Sequence, residues 1–236
     1  MIRFYAPDIV ETGRLPESDS QHAVRVLRMH AGDELQVVDG RGTVYTCRLL
    51  DEHHKHASVE ITGQTSEPKV WTPRISVLVA PTKHNDRMEW LVEKLVEIGV
   101  DHIVPVRCRR SERRDINCER LEKIAVSAMK QSLKAVLPKV WPMTPLGEAT
   151  ALWSDGQKFV GYCSDEFPRQ LLARALKPAT DTTVLIGPEG DFTPEEITSA
   201  VGAGFVPVTM GDNRLRTETA ALVGCGTFHI INQLGN

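Results

Sequence analysis

The apolar positions of this chain change period near residue 70. Before it, apolar and polar residues alternate in short runs, Ile2 to Ala6, Glu34 to Val38, Val44 to Leu50 and Ala57 to Thr62, the last containing Val59-Glu60-Ile61. Alternation over such lengths marks half-buried strands, and Asp39-Gly40-Arg41-Gly42 between two of them is a hairpin signal. One helix interrupts the run, opened by a Ser18/Gln21 capping box and reaching about Met29. Short strands with a single helix predict a small β-barrel over 1–70. Two prolines in polar sequence, Glu67-Pro68 to Thr72-Pro73, place the boundary with a second domain, 71–236.

Beyond the boundary strands and helices alternate. Ile75 to Ala80 reads as a buried strand, and Met88, Leu91, Val92, Leu95 and Val96 form the stripe of a helix that starts at an Asp86/Glu89 capping box and ends at Gly99. Ile103 to Val106, Lys158 to Cys163, Thr182 to Ile186 and Pro207 to Met210 read as strands. Glu119 to Leu137, Gln170 to Leu176, a segment from Thr193, and Thr217 to Gln233 read as helices. Thr193, Pro194 and Glu196 give the third of these a strong start signal. Such alternation predicts an α/β domain with a mainly parallel sheet covered on both faces.

Two strand-to-helix connections carry candidate chemistry. Thr182 to Ile186 runs into Gly187-Pro188-Glu189-Gly190, and Pro207 to Met210 breaks at Gly211-Asp212-Asn213. Ligands of open α/β sheets sit outside the carboxyl ends of strands, and glycine lets backbone approach them closely. Neither loop carries a GxGxxG or GxxxxGK[ST] phosphate signature. Glycine and proline also simply punctuate strand ends. The attached cluster Arg214, Arg216, Thr217 and Glu218 makes a pocket for a small cofactor the better reading.

Charge and cysteine usage narrow the picture. The formal net charge of −3 means that any surface for nucleic acid must be local. Arg107 to Arg114 is such a place, with five arginines and one glutamate in eight residues after a strand, at the sheet edge of the other loops. Arginine suits phosphate contacts, although charge runs are commonly just solvated. Arg25 and Arg28, three apart on the first helix, together with Arg3, present the same choice between phosphate contact and a solvated face. Five scattered cysteines without a CxxC pair argue for free thiols in a reducing compartment. No apolar run approaches a membrane span and no signal peptide is evident, so a cytoplasmic protein is expected. His53-His54-Lys55-His56 lacks accompanying cysteines or carboxylates and reads as a polar turn, not a metal site.

Several motifs together resemble the bacterial 16S rRNA uridine-N3 methyltransferases, members of the SPOUT superfamily with an N-terminal PUA-like domain. They are His22 to Arg28 followed by Gly32-Asp33 and Asp39-Gly40; Lys83 with Glu89, Lys94 and Glu97 to Val100; Arg110-Ser111; and Lys130-Gln131-Ser132. The most specific are Ile186 to Gly190 and Leu215 to Ala220, and the likeness runs nearly end to end. This chain departs from the pattern with Asp191 where the family has a second glycine, Met210 for leucine and Lys134 for arginine.

The resemblance implies a trefoil knot in the C-terminal domain, S-adenosylmethionine as cofactor, no metal, a homodimer, and one uridine of 16S rRNA on the 30S subunit as substrate. It places Ile186, Gly187, Glu189, Gly190, Met210, Gly211, Leu215, Arg216, Thr217 and Ala220 around the cofactor. Arg216 is expected as a stabilising cation and Glu218 as a polar partner or base, the alternative for Glu218 being a favourable charge at a helix N-terminus. Arg3, Arg25, Arg28, Arg109, Arg110 and Arg113 are expected on RNA phosphates. Two other functions fit the same residues: a superfamily member acting on tRNA or a ribose 2′-hydroxyl, and an RNA-binding protein without catalysis.

Overall fold

The computed structural model describes residues 2–164 and 166–235. It divides into two compact units, Met1–Val70 with Val126–Leu137, and Trp71–Ala125 with Pro138–Asn236.

The first unit contains β1 (Arg3–Tyr5), α1 (Ile9–Thr12), α2 (Glu17–Gln21), β2 (Glu34–Val38), β3 (Thr43–Leu49) and β4 (Val59–Ser66). The strands pair in that order, β1 parallel to β2 and the rest antiparallel. Their inward side chains, among them Phe4, Leu35, Val37, Cys47 and Leu49, bury a core with Ile9 and Leu15. The expected helix takes another form. Pro16 stands at the N-cap of α2, so Ser18 lies inside the helix and caps nothing. Residues His22–Val26 then form a π-helical turn, with Leu27 N–H donating to His22 O over 2.9 Å. Arg28 follows in a left-handed conformation, φ 56°. The wider turn and this reversal break the α-helical register that would have set Arg25 and Arg28 on one face. Both are exposed.

Residues 126–137, expected as helix in the second domain, complete the first unit. The helix α4 (Cys118–Gln131) ends early because Leu133 turns left-handed at φ 54°. The chain then meets the Asp39–Gly42 hairpin, where Gly42 N–H donates to Ala135 O (3.0 Å) and Leu137 N–H to Gly40 O (2.9 Å). Lys130 Nζ reaches the buried Asp19 carboxylate at 2.6 Å. Arg3 points inward, unlike the exposed Arg25 and Arg28. It is 9% exposed, and its guanidinium donates to Leu133 O (2.5 Å), Glu67 Oε1 (2.9 Å) and Gln36 Oε1 (3.3 Å), so its bonds are spent within this unit.

The second unit is a parallel sheet. Its elements are β5 (Ile75–Val79), α3 (Asn85–Ile98), β6 (His102–Arg107), the start of α4, β7 (Lys139–Val140), β8 (Thr144–Pro145), α5 (Leu146–Leu152), β9 (Gln157–Gly161), β10 (Gln170–Leu171), α6 (Leu172–Ala175), β11 (Thr182–Ile186), α7 (Pro194–Gly202), β12 (Val206–Thr209) and α8 (Thr217–Leu234). Strand order is β10-β12-β9-β11-β5-β6-β7, with β8 beside β6. Leu78, Val104, Val160 and Leu185 pack on Leu146 and Ala149 of α5 and on Ile197 and Ala200 of α7. α8 packs on α3, β5 and β11. A Cβ at Gly224 would stand 3.0 Å from Val184, so its absence lets α8 press close to the sheet. The Asp86/Glu89 box does not form: His84 is the N-cap of α3 without a side-chain bond, and Glu89 pairs with Arg120 at 3.0 Å. Gln170–Leu176 is a strand turning into one short helix, not a single helix.

Chain order and strand order differ where it matters. From β11 the chain passes through α7, skips β9 and lays β12 on the far side of it. It then returns as α8 to β11 and β5. The carboxyl ends of β9, β11 and β12 therefore lie side by side.

Candidate active site

A cavity of about 1270 Å³ opens at those three strand ends. Its walls are Tyr162 to Ser164 and Phe167 to Arg169 after β9, the loop after β11, and the loop after β12, closed by Arg87 of α3 and Ala220 of α8.

The loop after β11 is held from every side. Gly187 is buried, and a Cβ there would stand 2.7 Å from the Phe192 ring. Its carbonyl accepts the Thr217 hydroxyl at 3.2 Å, which ties the loop to the start of α8. Asp191 N–H closes a turn onto Pro188 O at 2.9 Å. Asp191 itself sits at φ 60°, where glycine is the usual residue and aspartate is tolerated. Its carboxylate accepts from Phe192 N–H (2.9 Å) and Cys163 N–H (3.3 Å), linking the loops after β11 and β9. Aspartate thus holds this left-handed position and adds two bonds. Arg110 Nη1 donates to the carbonyls of Gly190 (3.2 Å) and Phe192 (3.1 Å). The Thr193/Glu196 capping box then opens α7.

The loop after β12 bonds to itself and packs through Met210, whose Cε lies 3.4 Å from the Cβ position of Gly161 and 3.6 Å from that of Gly224. Thr209 Oγ1 donates to Gly211 O at 2.6 Å. Gly211 has φ 136°, and a Cβ on it would meet nothing within 4 Å. Asp212, Asn213 and Arg214 are exposed, and Arg216 caps α8 with no side-chain cap bond.

Arg87 spans the two sides of the site. Its Nη1 lies 3.9 Å from Glu189 and 3.6 Å from Glu218 Oε1. Glu218 is 6% exposed, and its Oε2 has no hydrogen-bond partner. A buried carboxylate oxygen without a donor is costly, which makes the nearby guanidinium the group that neutralises it.

Of the expected cofactor residues, Ile186, Gly187, Glu189, Met210, Gly211, Leu215, Arg216, Thr217 and Ala220 line the cavity. Gly190 does not; its Cβ position faces Arg110 at 3.4 Å, so it admits the arginine stem. Glu218 is also off the wall, turned toward Arg87. Arg110 and Arg113, expected on phosphates, donate instead to main-chain carbonyls, Arg113 to Lys83 O at 3.0 Å. Arg109 is exposed and 3.8 Å from Glu195. Sequence pattern did not point to Arg87 or to the wall formed by Tyr162 to Ser164 and Phe167 to Arg169. The rule that flagged two strand-end loops would have flagged the third, after β9; Arg87 left no local signal.

The cavity residues fit a flat, partly apolar ligand. Ile186, Met210, Leu215 and Ala220 offer apolar contact, the open side of Gly211 leaves backbone approachable, and Arg87, Arg169, Arg214 and Arg216 supply cations. The volume exceeds the usual range for one small-molecule pocket, roughly 300–1,000 Å³, which leaves room for a second reactant. Among the described residues no group of histidines, cysteines and carboxylates could hold a metal ion. Burial pushes the Cys108 and Cys225 thiols up to about 12 and Cys47 to about 11, which removes these three as nucleophiles.

Residues 70–229 match a family model described as an RNA methyltransferase domain, and residues 15–62 one described as an RNA methyltransferase PUA domain. The chain belongs to this RNA methyltransferase family. A crystal structure of a probable rRNA-methyltransferase from Porphyromonas gingivalis is 43% identical, with each chain covered over 100% of its length and a TM-score of 0.94. A ribosomal RNA small subunit methyltransferase E from Neisseria gonorrhoeae, solved bound to S-adenosyl methionine, is 28% identical over 98% of each chain, TM-score 0.85. The protein of the same name from Mycobacterium bovis is 26% identical over 97% of this chain and 91% of its own. These findings agree with the resemblance carried by Ile186 to Gly190 and Leu215 to Ala220, and with the α/β fold behind a PUA-like unit.

Proposed function

We propose that this protein is an S-adenosylmethionine-dependent methyltransferase that methylates N3 of a uridine in 16S rRNA of the small ribosomal subunit. The observation that carries the reading is the cavity at the adjacent ends of β9, β11 and β12, walled by nine of the residues expected around the cofactor. Its size suits a cofactor and an extruded base together, and a base must leave its stack to be reached.

When bound, S-adenosylmethionine supplies an electrophilic methyl group on a sulfonium. The protein's task is to position the uracil and ease removal of its N3 proton. That proton has a pKa about two units above neutrality, so roughly 3 kcal/mol must come from stabilising the anion or from a base. Arg216, on the wall at the start of α8, is the cation for a uracil carbonyl oxygen. Arg87 lines the same cavity and is held by Glu218 from behind, so Glu218 acts through Arg87 as a positioning residue. The apolar residues and the held loop after β11 orient the adenosine and exclude water. The protein acts in the cytoplasm as a homodimer; the exposed Ile230 and Leu234 on α8 offer apolar surface for a second copy. The passage of the chain from β12 past β9 back to β11 is consistent with the trefoil knot that the resemblance implies. No helix of the described residues is long and apolar enough to cross a membrane.

The test is mass-spectrometric mapping of 16S rRNA after incubating unmethylated small subunits with the protein and the methyl donor. One uridine should gain an N3 methyl group. Methylation of a ribose, or of tRNA alone, would assign the chain to another substrate, and RNA binding without transfer would make it a bare binder.

A further inference from the structure

The arginine run separates into two kinds of side chain. Arg110 and Arg113 donate to main-chain carbonyls, as described. Arg107 and Arg114 are exposed, and their side chains make no hydrogen bond or ion pair with any described residue. These two, with Arg109, line a second cavity of about 470 Å³. It opens beyond the carboxyl end of β6, against α7, where Glu195, Glu196 and Ser199 form its other side. The two glutamates offset part of this charge, but among the described residues neither is within ion-pair distance of Arg107 or Arg114. Glu196 is occupied by the backbone N–H groups of Thr193 (2.9 Å) and Arg109 (2.7 Å), and Glu195 lies 3.8 Å from Arg109. Two guanidiniums remain without counter-ions around a concave, solvent-open space.

We propose that this second cavity is a phosphodiester subsite for the RNA strand next to the methylated nucleotide, with Arg107 and Arg114 as its ligands and the Ser199 hydroxyl as an accessory donor. The proposal rests on the RNA-methyltransferase reading above. Planar guanidiniums match phosphate oxygens in pairs, and an exposed arginine with no counter-ion loses little when it takes one. The same loop supplies Arg110, which braces Gly190 and Phe192 of the first cavity's loop. Anchoring the strand at Arg107 and Arg114 therefore fixes RNA beside a part of the protein that is rigidly coupled to the first site. An acidic protein partner would use the same charges, but the family acts on RNA, and phosphate is the better geometric match.

The experiment compares wild type, Arg107→Ala/Arg114→Ala and Arg107→Lys/Arg114→Lys. Binding to naked unmethylated 16S rRNA is measured as a function of salt, alongside subunit methylation and calorimetric titration with S-adenosylmethionine. In the alanine variant the slope of log affinity against log salt should fall by about 1 to 2, and the KM for subunits should rise roughly tenfold. Its kcat and cofactor affinity should stay at wild-type values, and the lysine variant should keep most of the slope. An unchanged slope on naked RNA overturns the proposal, including the case where only subunit binding weakens, which would point to a protein partner. Loss of cofactor affinity in the alanine variant would also overturn it, by showing a structural role. A wild type that binds RNA through these arginines yet transfers no methyl group would leave the subsite standing and remove the enzymatic reading instead.

Discussion

The two glycine loops of the large cavity are built on opposite principles. In the loop after β11, Gly187 answers a shortage of space, with the Phe192 ring 2.7 Å from its Cβ position, while Gly190 has the Arg110 stem at ordinary contact distance, 3.4 Å. That loop is pinned by Thr217, Arg110 and the Asp191 carboxylate. In the loop after β12, glycine answers a need for backbone conformation: Gly211 has φ 136° and open space around it. Its neighbours Asp212 to Arg214 are exposed. A wall bonded on several sides thus faces a more exposed one, and both carry residues expected around the cofactor, Gly187 on the first and Met210, Gly211 and Leu215 on the second, which also carries Arg216.

This contrast can be broken by substitution. Arg216→Ala should have the largest effect, lowering kcat about 100-fold or more, as loss of one charge-stabilising donor does elsewhere. Cofactor affinity by calorimetry should barely change; near-normal turnover would remove Arg216 from the chemistry. Gly187→Ala comes next, because the new methyl must displace an aromatic ring in a buried site. Destabilisation of about 1–3 kcal/mol is expected from overpacking, with cofactor affinity lost at least tenfold. Arg110→Ala should cost about 1–2 kcal/mol through two unmade carbonyl bonds and raise the cofactor KM, whereas an arginine serving only RNA would leave that KM alone. Gly211→Ala should be the mildest, about 1 kcal/mol from backbone strain, read as a small fall in melting temperature with cofactor affinity within a few-fold.

Much of the frame of this site was legible in the sequence. β2 and β11 have the expected bounds, and the Thr193/Glu196 box opens α7 as its spacing dictates. Strand-end glycines pointed to two of the three loops. What was not legible is non-local or too short to show a period. A five-residue π-helical turn at His22–Val26 carries no periodicity distinct from an α-helix, and β7, β8 and β10 are two residues each. The fate of each arginine depends on partners far along the chain: Arg110 on carbonyls 80 and 82 residues away, Arg3 on one 130 residues away. A charge run therefore showed where arginines are, but not which are free. Arg87 was invisible for the same reason, since Glu189 and Glu218 meet it only in the folded chain.

The central claim is that the loops after β11 and β12 close on the methyl donor. Crystals of the protein grown with S-adenosylmethionine test it most directly. The account predicts the donor between Gly187 and Leu215, with its methyl group on the Arg216 side of the cavity. Donor density at any other place on the protein, with this cavity holding solvent alone, would contradict it.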